Sequence, residues 1–329
     1  MVLKSESNPW SVPDAVDLET APCPLGCRPD DSAVVAGRDR LNRLPGKYGV
    51  VRCGACGLMR TDPRPTPGTI GYYYPDHYGP YLHTRVAAPD DAHDRTAGLK
   101  RLVKRAVRFN TDCLPEMAPG KLLEIGCASG MFLFRMSRLG WQVAGIETSE
   151  RAASHSRSLG FPVHNGPLET APDPAEPYDL IAGWMVLEHL HDPVGSLVRM
   201  RRWIRKEGWL VFSIPDAGSW EFKIFKSAWY ALHLPNHLFH FTPQTIRKVL
   251  DCTGWKTVRI FHQRTLSNLI GSTGYWMEDR GGMHRLSQNL IHYPERAVIS
   301  QYLLFPPAWM LSLLGQTGRM TIWAKSIGA

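Results

Sequence analysis

Four cysteines stand in two close pairs early in this 329-residue chain, in "CPLGC" (23–27) and "CGAC" (53–56), with twenty-five residues between the pairs. Thiolates are soft ligands, and two pairs with roughly two to four residues inside each suit a tetrahedral zinc. Cys23, Cys27, Cys53 and Cys56 are therefore a candidate metal site. The zinc would be structural, because four sulfurs leave no coordination position for a substrate. Four free thiols are the plainer alternative. Cys113, Cys127 and Cys252 look isolated, and an odd total of seven argues against a complete disulfide framework.

A second kind of chemistry is written in "LLEIGCASGMF" (122–132). An apolar run ends at Glu124 and hands over to Gly126, Ala128 and Gly130. Small residues at a strand-to-helix turn let backbone approach a ligand closely. A tight turn that merely needs small residues would look the same. The next apolar run, "VAGIETSE", ends in Glu147 and Thr148. An acid about twenty residues beyond such a turn is placed to accept hydrogen bonds from ribose hydroxyls. The pair of signals points to a nucleoside cofactor, either a dinucleotide or S-adenosylmethionine.

The third cluster is "LHLPNHLFHFT" (232–242), with His233, His237 and His240. Imidazole titrates near neutral pH, so His237 and His240 are the general-base candidates. Histidines that only brace a loop are the competing reading. Glu188 and His189 in "VLEHLHDP" also look functional, as structural or acceptor-facing residues.

The elements that must position these groups alternate from residue 121 onward. "KLLEIG", "WQVAGIE", "FPVHNG", "YDLIAGW", "WLVFSIP", "WKTVRIFHQ" and "MTIWAKSI" read as strands. "GMFLFRMSRLG", "SERAASHSRSLG", "DPVGSLVRMRRWIRKEG" and "TPQTIRKVLDCTG" read as helices between them. Such alternation implies an α/β fold, a mainly parallel sheet with helices on both faces. The division read from the sequence is a leader (1–20), a cysteine-bearing segment (21–68), an aromatic loop and basic linker helix (69–118), the α/β domain (119–263 and 319–329) and a helical insertion (264–318).

At 43% hydrophobic the chain can bury a sizeable core, and its net charge of +8 favours anionic partners, although a basic solvated surface has the same charge. The start "MVLKSESNPW" lacks the apolar core of a signal peptide, so a reducing cytoplasm is expected. "AVISQYLLFPPAWMLSLLG" (297–315) approaches spanning length, but Pro306 and Pro307 interrupt it, which predicts two short apolar helices.

Four stretches, "LLEIGCASGMFL", "VAGIETSE", "YDLIAGWMVLEHLHDP" and "HLFHFTPQTIRKVLDCTGW", resemble in order the motifs of class I S-adenosylmethionine-dependent methyltransferases, with the ubiquinone-biosynthesis group as the nearest branch. "CGLMRTDPRP" resembles the zinc-ribbon-like leader of many such enzymes. The resemblance implies a Rossmann-like class I sheet behind a small zinc-ribbon-like domain, with S-adenosylmethionine as cofactor and one structural zinc. It places Glu124 and Gly126 near the methionine moiety, Glu147 on the ribose, Leu168 at the adenine and Trp184 beside the sulfonium, with Ala128, Gly130 and Thr148 completing the cofactor set. Two departures stand out. Pro167 replaces an acid that often meets the adenine, and Met185 replaces the acid that joins a divalent metal in some quinone-pathway relatives.

The implied activity is methyl transfer to a small-molecule or saccharide acceptor, most simply O-methylation with His237 as base. The acceptor could be lipid-linked, with 286–315 resting on the inner face of a membrane. Two rivals of other classes are a non-catalytic zinc-containing binding module and a nucleic-acid methyltransferase. The second is disfavoured because "SIPDAG" stands where an "NPPY"-like signature would.

Overall fold

The computed structural model describes residues 10–75, 109–111, 113–281, 283–296 and 300–327. The basic linker helix expected near 95–114 lies mostly outside the described residues, as does the end of the aromatic loop beyond 75.

The cysteine-bearing segment forms short strands: β1 (Leu18–Glu19), β2 (Asp31–Gly37), β3 (Tyr48–Cys53), β4 (Met59–Thr61) and β5 (Arg64–Pro65). Strands β2, β3 and β4 run antiparallel, and β1 pairs with β5. Ile70–Tyr73 then makes a single 3₁₀ turn.

The α/β unit begins at β6 (Lys121–Ile125), followed by α1 (Met131–Ser137), β7 (Gln142–Glu147), α2 (Glu150–Ser158), β8 (Val163–Asn165), β9 (Tyr178–Trp184), α3 (Pro193–Trp203) and β10 (Ile204–Pro215). After these come α4 (Trp220–Phe225), β11 (Phe239–His240), α5 (Pro243–Cys252) and β12 (Trp255–His262). The insertion supplies α6 (Ser267–Glu278), α7 (His284–Ile291), α8 (Tyr293–Arg296), α9 (Ser300–Leu303) and α10 (Phe305–Leu313), and β13 (Arg319–Ser326) ends the chain's regular structure.

Seven strands form one sheet in the order β12-β13-β10-β9-β6-β7-β8. Those from β10 to β8 are parallel, while β13 runs antiparallel to both β10 and β12. The central strand β6 buries Leu122, Leu123 and Ile125, a nearly continuous apolar run expected where helices cover both faces. Helix starts are fixed locally. The Ser149 side chain accepts from the Ala152 N–H, Asp192 accepts from Gly195, and Thr242 and Thr245 cap each other's backbone around Pro243.

The cysteine-bearing sheet does not stand alone. Its order is β11-β4-β3-β2, so Phe239 and His240 complete it by pairing with Arg60 and Met59. Leu58, Phe239 and Phe241 share a core with Ile125, Ile181, Phe212 and Met320 of the large sheet.

One expectation needs correction. The helix read through "RKEG" ends at Trp203, and Ile204 already pairs with Tyr178 as the start of β10. Glu207 at φ 60° and a register shift between Ile204 and Trp209 bend the strand there, which no helical pattern reveals. The stretch around Pro306 and Pro307 forms two short helices, α9 and α10, as expected, and the prolines sit in the first turn of α10, where their missing N–H groups cost nothing. Among the described residues no helix is long and apolar enough to cross a membrane.

Candidate functional site

The carboxyl ends of β6, β7 and β9 open onto a cleft of about 1680 Å³. In open α/β sheets this is where ligands bind. Gly126, Ala128, Glu147, Thr148, Leu168 and Trp184 line one end of it.

Gly126 has φ +68°, and a Cβ there would meet Val186 Cγ2 at 2.5 Å, so the turn takes only glycine. Gly130 has φ +85° and lies against Ser156, where a Cβ would meet the hydroxyl at 2.7 Å. Its role is to cap α1 against α2; it does not line the cleft. Between them Ala128 holds a left-handed φ of 45°, fixed by its N–H donating to Glu147 Oε2 at 2.9 Å. Glu147 Oε1 accepts from the Ser149 N–H at 2.8 Å. Oε1 also accepts from the Thr148 hydroxyl at 3.5 Å, so the carboxylate clamps the turn to the start of α2 and keeps a second acceptor site on Oε2. Burial pushes its carboxyl up, and the backbone N–H donors pull it down.

Glu124 lies beneath the turn. It is buried, does not line the cleft, and its Oε2 has no hydrogen-bond partner among the described residues. Burial holds its carboxyl well above the usual range. The Trp184 indole N–H is likewise buried without a partner, and its ring packs edge-on against Phe132 at 5.1 Å. An acid at the end of β7, a turn admitting only small residues and an unsatisfied donor beside it fit a nucleoside cofactor with polar substituents.

The other end of the cleft carries the histidines. His189, His233 and His237 line it, together with Tyr74, Trp229, Tyr230 and Arg319. His237 Nδ1 lies 2.9 Å from the Ala231 carbonyl, which fixes the proton on Nδ1 and leaves a lone pair on Nε2. That Nε2 is 3.3 Å from His233 Nδ1 and 4.0 Å from Glu188 Oε1. His189 Nδ1 faces the Asn236 carbonyl at 3.0 Å and the Tyr74 hydroxyl at 2.7 Å. The His189 and His237 rings meet edge to face at 4.6 Å. Burial, reinforced by the neighbouring imidazoles, holds His237 well below its ordinary value, so the ring is neutral.

His240 is elsewhere. It does not line the cleft; its Nε2 sits 3.2 Å from Thr61 Oγ1, and Thr61 donates its own proton to the His237 carbonyl at 2.7 Å. His240 therefore bonds the ribbon to the segment that carries His237. The structure separates the two base candidates.

The sulfurs of Cys23, Cys27, Cys53 and Cys56 all lie within 4.8 Å of one another, with Cys23 and Cys56 at 3.5 Å. Zinc bonds of about 2.3 Å in a tetrahedron put sulfurs about 3.8 Å apart, so the set fits that metal. Ligand atoms of Glu188, His189 and His237 also lie within 4.8 Å of one another. Met185 stands where an acid would extend that group.

Sequence reading missed Tyr74, Tyr230 and Arg319, each of which enters the cleft from a different element. The one signal for Arg319 is a guanidinium opening an otherwise buried strand, "RMTIWA".

Comparison with known proteins gives a consistent neighbourhood. The family model described as a methyltransferase domain matches residues 92–260. A ubiquinone biosynthesis O-methyltransferase of Thiobacillus denitrificans is 28% identical over 110 residues, 31% of this chain and 47% of that protein. Its counterpart in Caulobacter vibrioides is 33% identical over 98 residues, 28% of this chain and 38% of that protein. The chain thus spans less than half the length of these two relatives. A solved S-adenosylmethionine-dependent methyltransferase from Mesorhizobium loti aligns with 69% of this chain and 100% of its own, at 16% identity and a TM-score of 0.44.

Proposed function

We propose, for a chain that belongs to the methyltransferase-domain family of class I S-adenosylmethionine-dependent enzymes, that it methylates a hydroxyl of a small-molecule or saccharide acceptor with His237 as base. One observation carries the reading: the Gly126–Glu147–Trp184 end and the His237 end belong to a single cleft.

S-adenosylmethionine, when bound, supplies an electrophilic methyl group on a sulfonium. Glu147 would hold the ribose, Leu168 the adenine edge, and Gly126 and Trp184 the methionine end. The chain's remaining task is alignment and proton removal. His237 presents its Nε2 lone pair because Ala231 holds the proton on Nδ1. The buried Glu188 carboxyl lies 4.0 Å from that Nε2 and is the acidic group beside the proposed base. A lipid-linked acceptor fits the same proposal, because α10 and its exit expose Met310 (61%) and Leu313 (65%), a face suited to a bilayer surface.

The test uses tritiated S-adenosylmethionine with nucleotide-sugars, lipid-linked sugars and phenols as acceptors. On the accepted substrate, His237→Ala should lower turnover roughly 100-fold or more with cofactor affinity close to wild type. His240→Ala should lose stability more than turnover per folded molecule. Normal turnover by a folded His237→Ala protein would remove the base assignment, and cofactor binding with no transfer to any acceptor would favour a binding module.

A further inference from the structure

Arg319 opens β13 opposite Pro215, at the same end of the sheet as the carboxyl ends of the parallel strands, and it lines the cleft. Its Nε is buried and has no hydrogen-bond partner among the described residues. No carboxylate oxygen among them lies within 4.0 Å of its guanidinium. By contrast Arg40, also lining the cleft, is held by both oxygens of Asp279 at 3.0 and 2.7 Å and by the Ser227 carbonyl at 3.0 Å. Arg319 as a whole is half-buried, and a guanidinium partly withdrawn from water is ordinarily paired, because an unmatched charge there is costly.

The nearest acids do not supply a fixed counterion. Glu221 Oε1 accepts from the Gly318 N–H at 3.0 Å, and Glu221 Oε2 and both Glu188 oxygens have no hydrogen-bond partner among the described residues. Burial pushes the Glu188 carboxyl up to about 8 and the Glu221 carboxyl to about 7, and the Arg319 charge draws both back only in part. The histidines around them are neutral for the same reason, with His189 lowered by burial to about 4 and His233 to about 3. The wall beyond is aromatic, with Tyr230 stacked on Tyr275 at 5.8 Å. The acceptor end therefore combines a guanidinium that no described carboxylate contacts directly with neutral imidazoles and tyrosines.

Resting on the methyl-transfer reading above, we propose that Arg319 recognises an anionic acceptor: the substrate carries a carboxylate or a phosphate that pairs with this guanidinium while its hydroxyl faces His237. Guanidinium forks bind both groups through paired N–H donors. The ligand supplies the charge that the fold leaves unmatched.

The probes are phenyl phosphate, benzoate and the neutral benzyl alcohol, titrated into wild-type protein, Arg319→Gln and Arg319→Lys. Quenching of tryptophan fluorescence reports occupancy, because Trp184 and Trp229 line the cleft. Wild-type protein should bind at least one anion about ten-fold or more tightly than the alcohol. Tighter phenyl phosphate supports a phosphate-bearing acceptor and tighter benzoate a carboxylate-bearing one. Arg319→Gln should lose the preference and melt no lower than wild type, whereas Arg319→Lys should keep part of it. Equal binding of anions and alcohol by wild type, or a preference that survives in Arg319→Gln, overturns the proposal. So does a marked fall in melting temperature of Arg319→Gln, which would make Arg319 a structural partner of Glu188 and Glu221. S-adenosylhomocysteine titrated into the same proteins separates the two readings: its binding without an anion preference defeats only the Arg319 assignment, and its failure to bind wild type defeats the methyl-transfer reading.

Discussion

Glu188 is fully buried, and neither of its oxygens has a hydrogen-bond partner among the described residues. Such a carboxyl is held protonated by desolvation, and that has a consequence for stability. Its folded value of about 8, and that of Glu221 at about 7, lie above the unfolded value of about 4.3, so the folded state holds these protons more tightly. Their contribution is fully present below the unfolded value and is lost as pH rises through about 7 to 8. The buried histidines act oppositely. His189 at about 4, and His233 and His240 at about 3, lie below the unfolded value of about 6.5, so their contribution is lost as pH falls through the acid range. Melting temperature should therefore peak between about pH 5.5 and 7 and decline on both sides. A melting temperature that climbs steadily from pH 6 to 8.5 would show that these groups are solvated in the folded protein.

At the scale of elements, the ribbon and the sheet are joined at β11. Thr61 of β4 donates to the His237 carbonyl, and the Thr61 N–H donates to the Leu238 carbonyl at 2.9 Å. The cysteine-bearing sheet is thereby tied directly to the segment that carries His237. One zinc per chain is expected by elemental analysis of protein purified without added metal. Chelation, or Cys23→Ser with Cys56→Ser, should lower the melting temperature and slow turnover together. Metal-free wild-type protein whose double variant is equally stable would refute the zinc site. The sequence showed the cysteines plainly, because ligand spacing is local. It did not show β11. Leu238, Phe239, His240 and Phe241 are all buried in succession, so no alternation marks a strand, and the partner lies far earlier in the chain. Without that pairing His240 looked equivalent to His237.

At the scale of the whole molecule, the two ends of the cleft differ in how they are encoded. The cofactor end comes from strand ends and the turns that follow them, so contiguous motifs exposed Gly126, Ala128, Glu147 and Trp184. The acceptor end gathers Tyr74 from the aromatic loop, Tyr275 from α6, Arg319 from β13 and Arg40 from the loop after β2, and no spacing in the sequence relates them. We propose that the Gly126–Glu147 end binds S-adenosylmethionine, and calorimetric titration of S-adenosylhomocysteine is the decisive measurement. The expected result is one ligand per chain for wild type, and for a folded Glu147→Ala a loss of roughly 1.5–3 kcal/mol, about ten- to a hundred-fold in affinity. Absence of binding to wild type, or unchanged affinity in the variant, would contradict it.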